Sequence, residues 1–184
     1  FGDCISLQTF AIENGNTSFS VENDVLMNAE KTTLFCYPPA KTGTTYSVPN
    51  TVTEIAPYAF ASAADLTDVM LPTGLQTIGA WAFSQTKLIS ITIPNTVTTI
   101  GSYAFCNAAS LKQVQLPSSL QELQAAAFWG CTALEQVTLP NTLQEIPVYV
   151  FYGCTGLQKL TVPSSVQTIA SEAFQGMSQK ITVA

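Results

Sequence analysis

The sequence predicts an α/β solenoid, a coil of short parallel strands and brief helical turns that grows by stacking one unit on the next. Two internal rulers predict it. Proline recurs at Pro49, Pro72, Pro94, Pro117, Pro140 and Pro163, and phenylalanine at Phe60, Phe83, Phe105, Phe128, Phe151 and Phe174. Both series advance by 23, 22, 23, 23 and 23 residues, and each Phe follows its Pro by eleven. A period in this range marks a chain made of one supersecondary unit that buries its apolar face only against its neighbours. Composition agrees: of 184 residues 47% are apolar and 10% charged, which supplies a continuous core and argues against disorder.

The chain is expected to open inside a repeat. Phe1, Cys4 and Leu7 have the spacing of Phe128, Cys131 and Leu134, so residues 1–184 are expected to be one solenoid domain cut from a longer protein. Leu7–Ile12 (LQTFAI) fits Leu-x-x-apolar-x-apolar and is expected to be the first strand. Residues 13–45 then break the register as an insertion. It contains the apolar runs Phe19–Val21, Val25–Met27 and Thr32–Tyr37, with Asn28-Ala-Glu-Lys31 as a polar turn between the last two, the pattern of a β-hairpin. Pro38-Pro39 ends it, because proline cannot donate to a ladder. Lys41-Thr-Gly-Thr44 is a turn, not a phosphate loop: the preceding glycine is missing and no helix follows.

From Tyr46 the register resumes, with units at Leu66–Lys87, Leu88–Ser110, Leu111–Ala133, Leu134–Gly156 and Leu157–Lys180. In the third of these, Leu111, Val114 and Leu116 alternate with Gln113 and Gln115, a short strand with one buried face. Proline closes the strand, and Leu120 and Leu123 turn back into the core. Gln124–Phe128 is expected to form one or two helical turns that carry Ala127 and Phe128 inward. The slot after the Ile or Leu holds Ala56, Gly79, Gly101, Gln124, Pro147 and Ala170. Pro147 shows that this slot needs no left-handed backbone. Two residues past each Phe stand Ser62, Gln85, Asn107, Gly130, Gly153 and Gly176, where Gly and Asn point to a left-handed cap. Stacking makes the Phe column a spine.

These motifs resemble the BspA-like leucine-rich repeat family. The resemblance rests on Leu-x-x-Val-x-Leu-Pro, on Ile-Gly-x-x-Ala-Phe at Ile78–Phe83 and Ile100–Phe105, and on Gly-Cys at Gly130-Cys131 and Gly153-Cys154. It covers about Phe1–Leu7 and Tyr46 to the end, and the hairpin from Asn23 to Pro39 is similar to an insertion these proteins carry. Gln124, Pro147 and Ala170 depart from the glycine slot, Met177 from the cysteine slot, and Lys180 takes a leucine position. The resemblance implies a right-handed leucine-rich-repeat superhelix with a parallel sheet on one face. It also implies a bacterial, secreted protein displayed at a cell surface, where it mediates adhesion to host or neighbouring-cell ligands.

Composition narrows the chemistry. The net charge is −6, all six basic residues are lysines, and there is no His or Arg. That removes imidazole bases and ligands and the bidentate guanidinium clamp. A nucleic-acid footprint is not expected at a pI near 4.3, and no run approaches the roughly 18 apolar residues of a membrane span. No enzyme, cofactor or metal site is expected, and the protein is expected to be a monomer.

Four sets of residues are candidates, each with a bland alternative. Asp68, Met70, Ser90, Thr92, Gln113, Gln115, Gln136, Thr138, Lys159 and Thr161 occupy polar strand positions. In leucine-rich repeats that surface is the concave ligand-binding face; the alternative is a solvated sheet whose Thr and Gln satisfy β-propensity. Nearly uncharged, it suits an extracellular protein surface or a glycan. The second set is an aromatic row, Tyr58, Trp81, Tyr103, Trp129, Tyr149 and Tyr152, either a sugar-stacking surface or a ladder of rings packed on one another. Glu54, Glu122 and Glu145 share a column that could serve a glycosidase or a weak Ca²⁺ site, but a solvated edge is the plainer reading. The last set is the cysteines. Cys131 and Cys154 stack in adjacent repeats and are expected to be free thiols; without a CxxC pair, zinc is not expected. Asn16-Thr-Ser18 is an N-glycosylation sequon, relevant only in a eukaryotic source. The alternatives to adhesion are a structural spacer that projects another domain and a carbohydrate-binding module.

Overall fold

The computed structural model describes Phe1, residues 4–177 and the backbone of Thr182 and Val183. The strands, in chain order, are β1 (Phe19–Glu22), β2 (Val25–Asn28), β3 (Thr33–Cys36), β4 (Thr45–Ser47), β5 (Glu54–Ile55), β6 (Asp68–Met70), β7 (Thr77–Ile78) and β8 (Ser90–Thr92). They continue as β9 (Thr99–Ile100), β10 (Gln113–Gln115), β11 (Glu122–Leu123), β12 (Gln136–Thr138), β13 (Glu145–Ile146), β14 (Lys159–Thr161), β15 (Thr168–Ile169) and β16 (Thr182–Val183). Each repeat thus supplies two strands to two separate parallel ladders, and a run of turns to a third face.

The first ladder pairs β4 with β6, and β8, β10, β12, β14 and β16 in succession. Its three-residue strands alternate exposed, buried, exposed, as the Leu-x-x-Val-x-Leu pattern requires. It parts between β6 and β8. The loop from Phe83 to Leu88 is one residue shorter than its counterpart from Phe60 to Leu66, which accounts for the 22-residue step. The second ladder runs β3–β5–β7–β9–β11, with β13–β15 as a separate pair.

The expected helical turns do not form. Among the described residues there is no helix, so the fold is an all-β solenoid rather than α/β. The reason is a competition for backbone donors. In the turn run, alternate N–H groups go to the next repeat: Tyr58 to Ala80 O (3.0 Å), Phe60 to Ala82 O (2.7 Å) and Ser62 to Ser84 O (2.9 Å). The intervening ones close tight local turns, Ala59 to Ala56 O and Ala61 to Tyr58 O. Residues on both sides of the Phe are left-handed: Trp81 and Gln85 have φ of 60° and 57°, Tyr103 and Asn107 of 59° and 55°. The cap expected two residues after each Phe is therefore present, and a second left-handed residue stands two before the first five, at Tyr58, Trp81, Tyr103, Ala126 and Tyr149. Such an alternation excludes i→i−4 bonding, and the repeat-to-repeat bonds take its place.

The Phe spine lies at the centre. Phe60, Phe83, Phe105, Phe128 and Phe151 are fully buried, and successive rings stack 4.9–5.8 Å apart with planes within 11°. Phe174 continues the stack, half-buried. Above Phe60, Tyr37 stacks at 5.4 Å and sends its N–H to Ala59 O, as Phe60 does to Ala82 O. Tyr37 precedes Phe60 by 23 residues, so it heads the spine.

The segment after Ile12 is a three-stranded meander rather than a lone hairpin. β1 and β2 are antiparallel about Asn23 and Asp24, whose φ values of 50° and 66° are those of a two-residue type I′ turn. β2 then pairs antiparallel with β3, which joins the second ladder in parallel, Thr33 beside Glu54 and Leu34 beside Ile55. Leu7–Ile12 forms no strand. Among the described residues its one backbone bond into the solenoid is Ala40 N–H to Leu7 O, and an isolated run without a ladder partner does not qualify. At the other end, β16 pairs Thr182 with Lys159 and Val183 with Leu160, so the 23-residue register holds; Lys180 itself, like Gly2 and Asp3, lies outside the described residues.

Glycine at two slots is needed for contact rather than for handedness. A Cβ on Gly101 would stand 2.6 Å from Ala80 N, and one on Gly79 2.6 Å from Pro57 N. The N–H at this slot reaches the previous repeat, Gly79 to Ile55 O and Gly101 to Ile78 O, both 2.8 Å, and at these two positions the approach is too close for a side chain.

Candidate functional site

The outward positions of the first ladder form two polar columns. Register puts Thr45 beside Asp68, and Ser90, Gln113, Gln136 and Lys159 in one line; Ser47 stands beside Met70, Thr92 beside Gln115, and Thr138 beside Thr161. All ten positions expected on this face are there. Nine are exposed and Thr161 is half-buried. Between them Val69, Ile91, Val114, Val137 and Leu160 point into the core.

The ten do not form one surface. Gln113, Gln115, Gln136, Thr138, Lys159 and Thr161 line a groove of about 700 Å³ with Ser118 and Asn141 at the proline corner. Asp68, Met70, Ser90 and Thr92 lie outside it, around the parting of β6 and β8. Ser118 and Asn141 were not among the expected residues, although a polar residue directly after each proline recurs at Asn50, Thr73, Asn95, Ser118, Asn141 and Ser164. At this corner, hydroxyls tie repeat to repeat: Thr96 donates to Thr73 O, Ser119 to Val97 O and Ser165 to Leu143 O, each at 2.8 Å.

The groove amides are chemically free. Gln124, on the second ladder, accepts from Ser102 N–H (2.9 Å) and donates to Glu122 Oε1 (2.7 Å). No such bond engages the side chains of Gln113, Gln115 or Gln136 among the described residues. They offer a row of donors and acceptors at the strand spacing of about 4.8 Å, with Lys159 the one charged side chain lining the groove among the described residues.

The aromatic row is also present, and its geometry bears on its use. Tyr58 and Trp81 are coplanar within 4° at 6.0 Å, Trp81 and Tyr103 within 9° at 4.3 Å, and Trp129 and Tyr152 within 23° at 3.9 Å. Ala126 leaves a gap in the column. Trp129 fills it, 6.1 Å from Tyr103 and 5.5 Å from Tyr149. Ring faces in this row are largely occupied by neighbouring rings, which leaves edges for solvent. Tyr58, at the N-terminal end, is the exposed member at 46%.

Glu54, Glu122 and Glu145 point outward from the second ladder and are exposed, in a column they share with Thr77, Thr99 and Thr168. Cys4 is exposed; Cys36, Cys106, Cys131 and Cys154 are buried free thiols. Cys131 and Cys154 donate to Phe105 O and Phe128 O, both at 3.1 Å. Burial pushes the Cys36 and Cys106 thiols up to about 11 and that of Cys154 to about 12, and raises Cys131 well above its ordinary value. No helix among the described residues is long and apolar enough to cross a membrane.

The chain matches the family model described as the BspA type leucine rich repeat region, in six copies, over residues 31–132 and 82–183. Among solved structures it is similar to a leucine-rich repeat protein from Eubacterium ventriosum, with 33% identity over 96% of this chain and a TM-score of 0.78. It is also similar to a leucine rich cell surface protein from Faecalibacterium prausnitzii, with 26% identity over 91% of this chain and a TM-score of 0.64. A leucine rich repeat protein of T. pallidum shares the fold at 22% identity, over 87% of this chain and 86% of that one, with a TM-score of 0.64. The chain spans 54% of the first of these proteins and 40% of the second. No curated protein matches it.

Proposed function

The chain belongs to the BspA-type leucine-rich-repeat family, and from that premise we propose that it is a non-enzymatic interaction module displayed at a cell surface, with the groove over β10, β12 and β14 as its binding face. The observation that carries this reading is the row of unengaged amides and hydroxyls at Gln113, Gln115, Gln136 and Thr138. Backbone or side-chain amides of an extended protein segment match that row in spacing and chemistry. A polar, nearly uncharged groove recognises by hydrogen bonds and shape rather than by steering. Cell-surface display is supported by the similar Faecalibacterium protein, which is described as a cell surface protein.

A protein partner is favoured over a glycan. Sugar recognition by stacking needs open ring faces, whereas Trp81, Tyr103, Trp129 and Tyr152 are stacked on their neighbours. Binding is favoured over catalysis because the chain has no His or Arg and Glu122 and Glu145 are exposed to water. The test is a binding screen of this chain against immobilised extracellular-matrix proteins and a glycan array. Protein hits lost in a Gln113→Glu/Gln136→Glu variant that unfolds like the parent support the groove. Hits that survive it, or glycan hits alone, overturn the assignment, and a chain that binds nothing is the expectation for a spacer.

A further inference from the structure

The joints between repeats are not equal. At most joints three things hold neighbours together: the first ladder, the second ladder, and the N–H to carbonyl bonds of the turn face. The joint between the Gln113–Phe128 and Gln136–Phe151 repeats is the exception. Its first ladder has a single register pair, Gln113 with Gln136, against three pairs for β8–β10 and three for β12–β14. Its second ladder is open, since β11 and β13 do not pair. Its turn face is intact, with Ala126 N–H to Val148 O (3.0 Å), Phe128 to Val150 O (2.9 Å) and Gly130 to Tyr152 O (2.7 Å). The parting at β6/β8 is different, because there the second ladder stays paired through Thr77 and Thr99.

The cause is a residue type. After each second strand the next N–H normally reaches the previous repeat: Gly79 to Ile55 O, Gly101 to Ile78 O, Gln124 to Ile100 O and Ala170 to Ile146 O, all 2.8–3.0 Å. Pro147 occupies this slot and has no N–H, so Leu123 O loses its donor. Upstream, Gln121 and Glu122 both bond Thr98 O, and Gln167 bonds Gln144 O, but no bond from Gln144 or Glu145 reaches Gln121 O. Shallow openings of about 530 and 540 Å³ straddle the line, both lined by Glu122, Leu123, Glu145 and Thr168.

We infer that Pro147 makes this joint a hinge, with the turn face as its leaf, and that the hinge sets the width of the groove on the first ladder. The groove spans the same joint, since β10 lies on one side of it and β12 and β14 on the other. Rocking about the turn face moves Gln113 and Gln115 relative to Gln136 and Thr138 while the Phe128–Phe151 stack stays in contact. Away from the turn face, among the described residues, the joint keeps only the Gln113–Gln136 pair, Glu135 N–H to Lys112 O (3.1 Å) and the Thr142 hydroxyl to Leu120 O. A joint so thinly bonded on that side can open there without unfolding the repeats on either side. The effect on ligand binding rests on the reading of the groove given above; the hinge does not.

The experiment is hydrogen exchange on the whole chain, without ligand, comparing the parent with Pro147→Ala and Ala170→Pro. In the parent, the amides of Gln144–Ile146 exchange at least roughly tenfold faster than those of Gln121–Leu123. Pro147→Ala restores a donor to Leu123 O and slows Gln144–Ile146 toward the rate of Gln121–Leu123. Ala170→Pro, which keeps Pro147, makes Gln167–Ile169 a second fast segment beside Gln144–Ile146. Equal rates in the parent, or rates at Gln144–Ile146 indifferent to Pro147→Ala, overturn the hinge. If Pro147→Ala unfolds the protein, the parent comparison and Ala170→Pro still decide. Because no ligand is used, failure here leaves the binding reading standing, and loss of binding in the groove variants leaves the hinge standing.

Discussion

Phe105 and Phe128 stack with their ring centroids 5.2 Å apart and their planes within 3°, and neither ring is exposed to solvent. Two repeats are joined by that contact more than by any polar pair, because the strands beside it are only two or three residues long. Truncation of either ring opens a cavity that its neighbours, held by their own repeats, cannot collapse. Phe128→Ala is expected to cost about 3–5 kcal/mol in chemical denaturation. An unchanged midpoint would remove the spine from its central place in the fold.

The aromatic row gives a second, more local test. Trp129 bridges the gap that Ala126 leaves between Tyr103 and Tyr149. Trp129→Ala is expected to lower stability by about 1–2 kcal/mol, from lost stacking and lost apolar burial. Adding Ala126→Tyr should recover part of it, since Tyr58, Tyr103 and Tyr149 show that the slot accepts tyrosine at a left-handed φ. No recovery in the double variant would mean that the row is not a continuous ladder.

Close approach at the glycine slot predicts a steric penalty. Gly101→Ala places a Cβ against backbone atoms of Ala80 and Gly79 at 2.6–3.0 Å, and is expected to cost about 1–3 kcal/mol in thermal or denaturant unfolding. A neutral effect would show that the repeats slide apart more easily than their hydrogen bonds imply.

The cysteines separate by burial and by pH. At neutral pH a thiol reagent should label Cys4 promptly and the other four only on unfolding. Below pH 9 the folded and unfolded chains both keep the buried thiols protonated. Between pH 9 and about 11–12, the unfolded chain releases these protons and the folded chain holds them at Cys36, Cys106 and Cys154. Stability should therefore fall as pH rises through that window. The fall should be shallower in Cys106→Ala/Cys154→Ala, compared by thermal unfolding at pH 8 and pH 10.5. An equal slope in both proteins would refute the contribution of the thiols.

How far the sequence could be read depended on the range of the interaction. Both rulers, the buried Val114 and the outward Gln113 and Gln115 follow from period and alternation within one repeat, and the structure places them as read; Leu116, read as buried, is half-buried at the groove. The helical reading of Gln124–Phe128 failed because alanine-rich local preference lost to bonds from Phe128 to Val150 O and Ala126 to Val148 O in the next repeat. Leu7–Ile12 matched a strand by pattern but has no partner strand. Asn23-Asp24 lies between two apolar runs and turns β1 into β2, a local signal that the hairpin pattern centred on Asn28–Lys31 does not contain. Pro147 was visible, yet its consequence lies in the carbonyl of Leu123 one repeat away. Ser118 and Asn141 join the groove by stacking, which no single repeat reveals.

The most direct measurement of the central claim is binding of a protein partner from the matrix screen to the parent chain and to Gln113→Glu/Gln136→Glu, each checked for an unchanged unfolding curve. Two carboxylates in neighbouring strands of the groove repel each other and replace amide donors with acceptors. The account predicts at least a roughly tenfold loss of affinity, about 1.4 kcal/mol, with Trp81→Ala leaving affinity within a few fold. Full affinity in the groove variant, with loss in Trp81→Ala, would contradict it and move the binding face to the aromatic row.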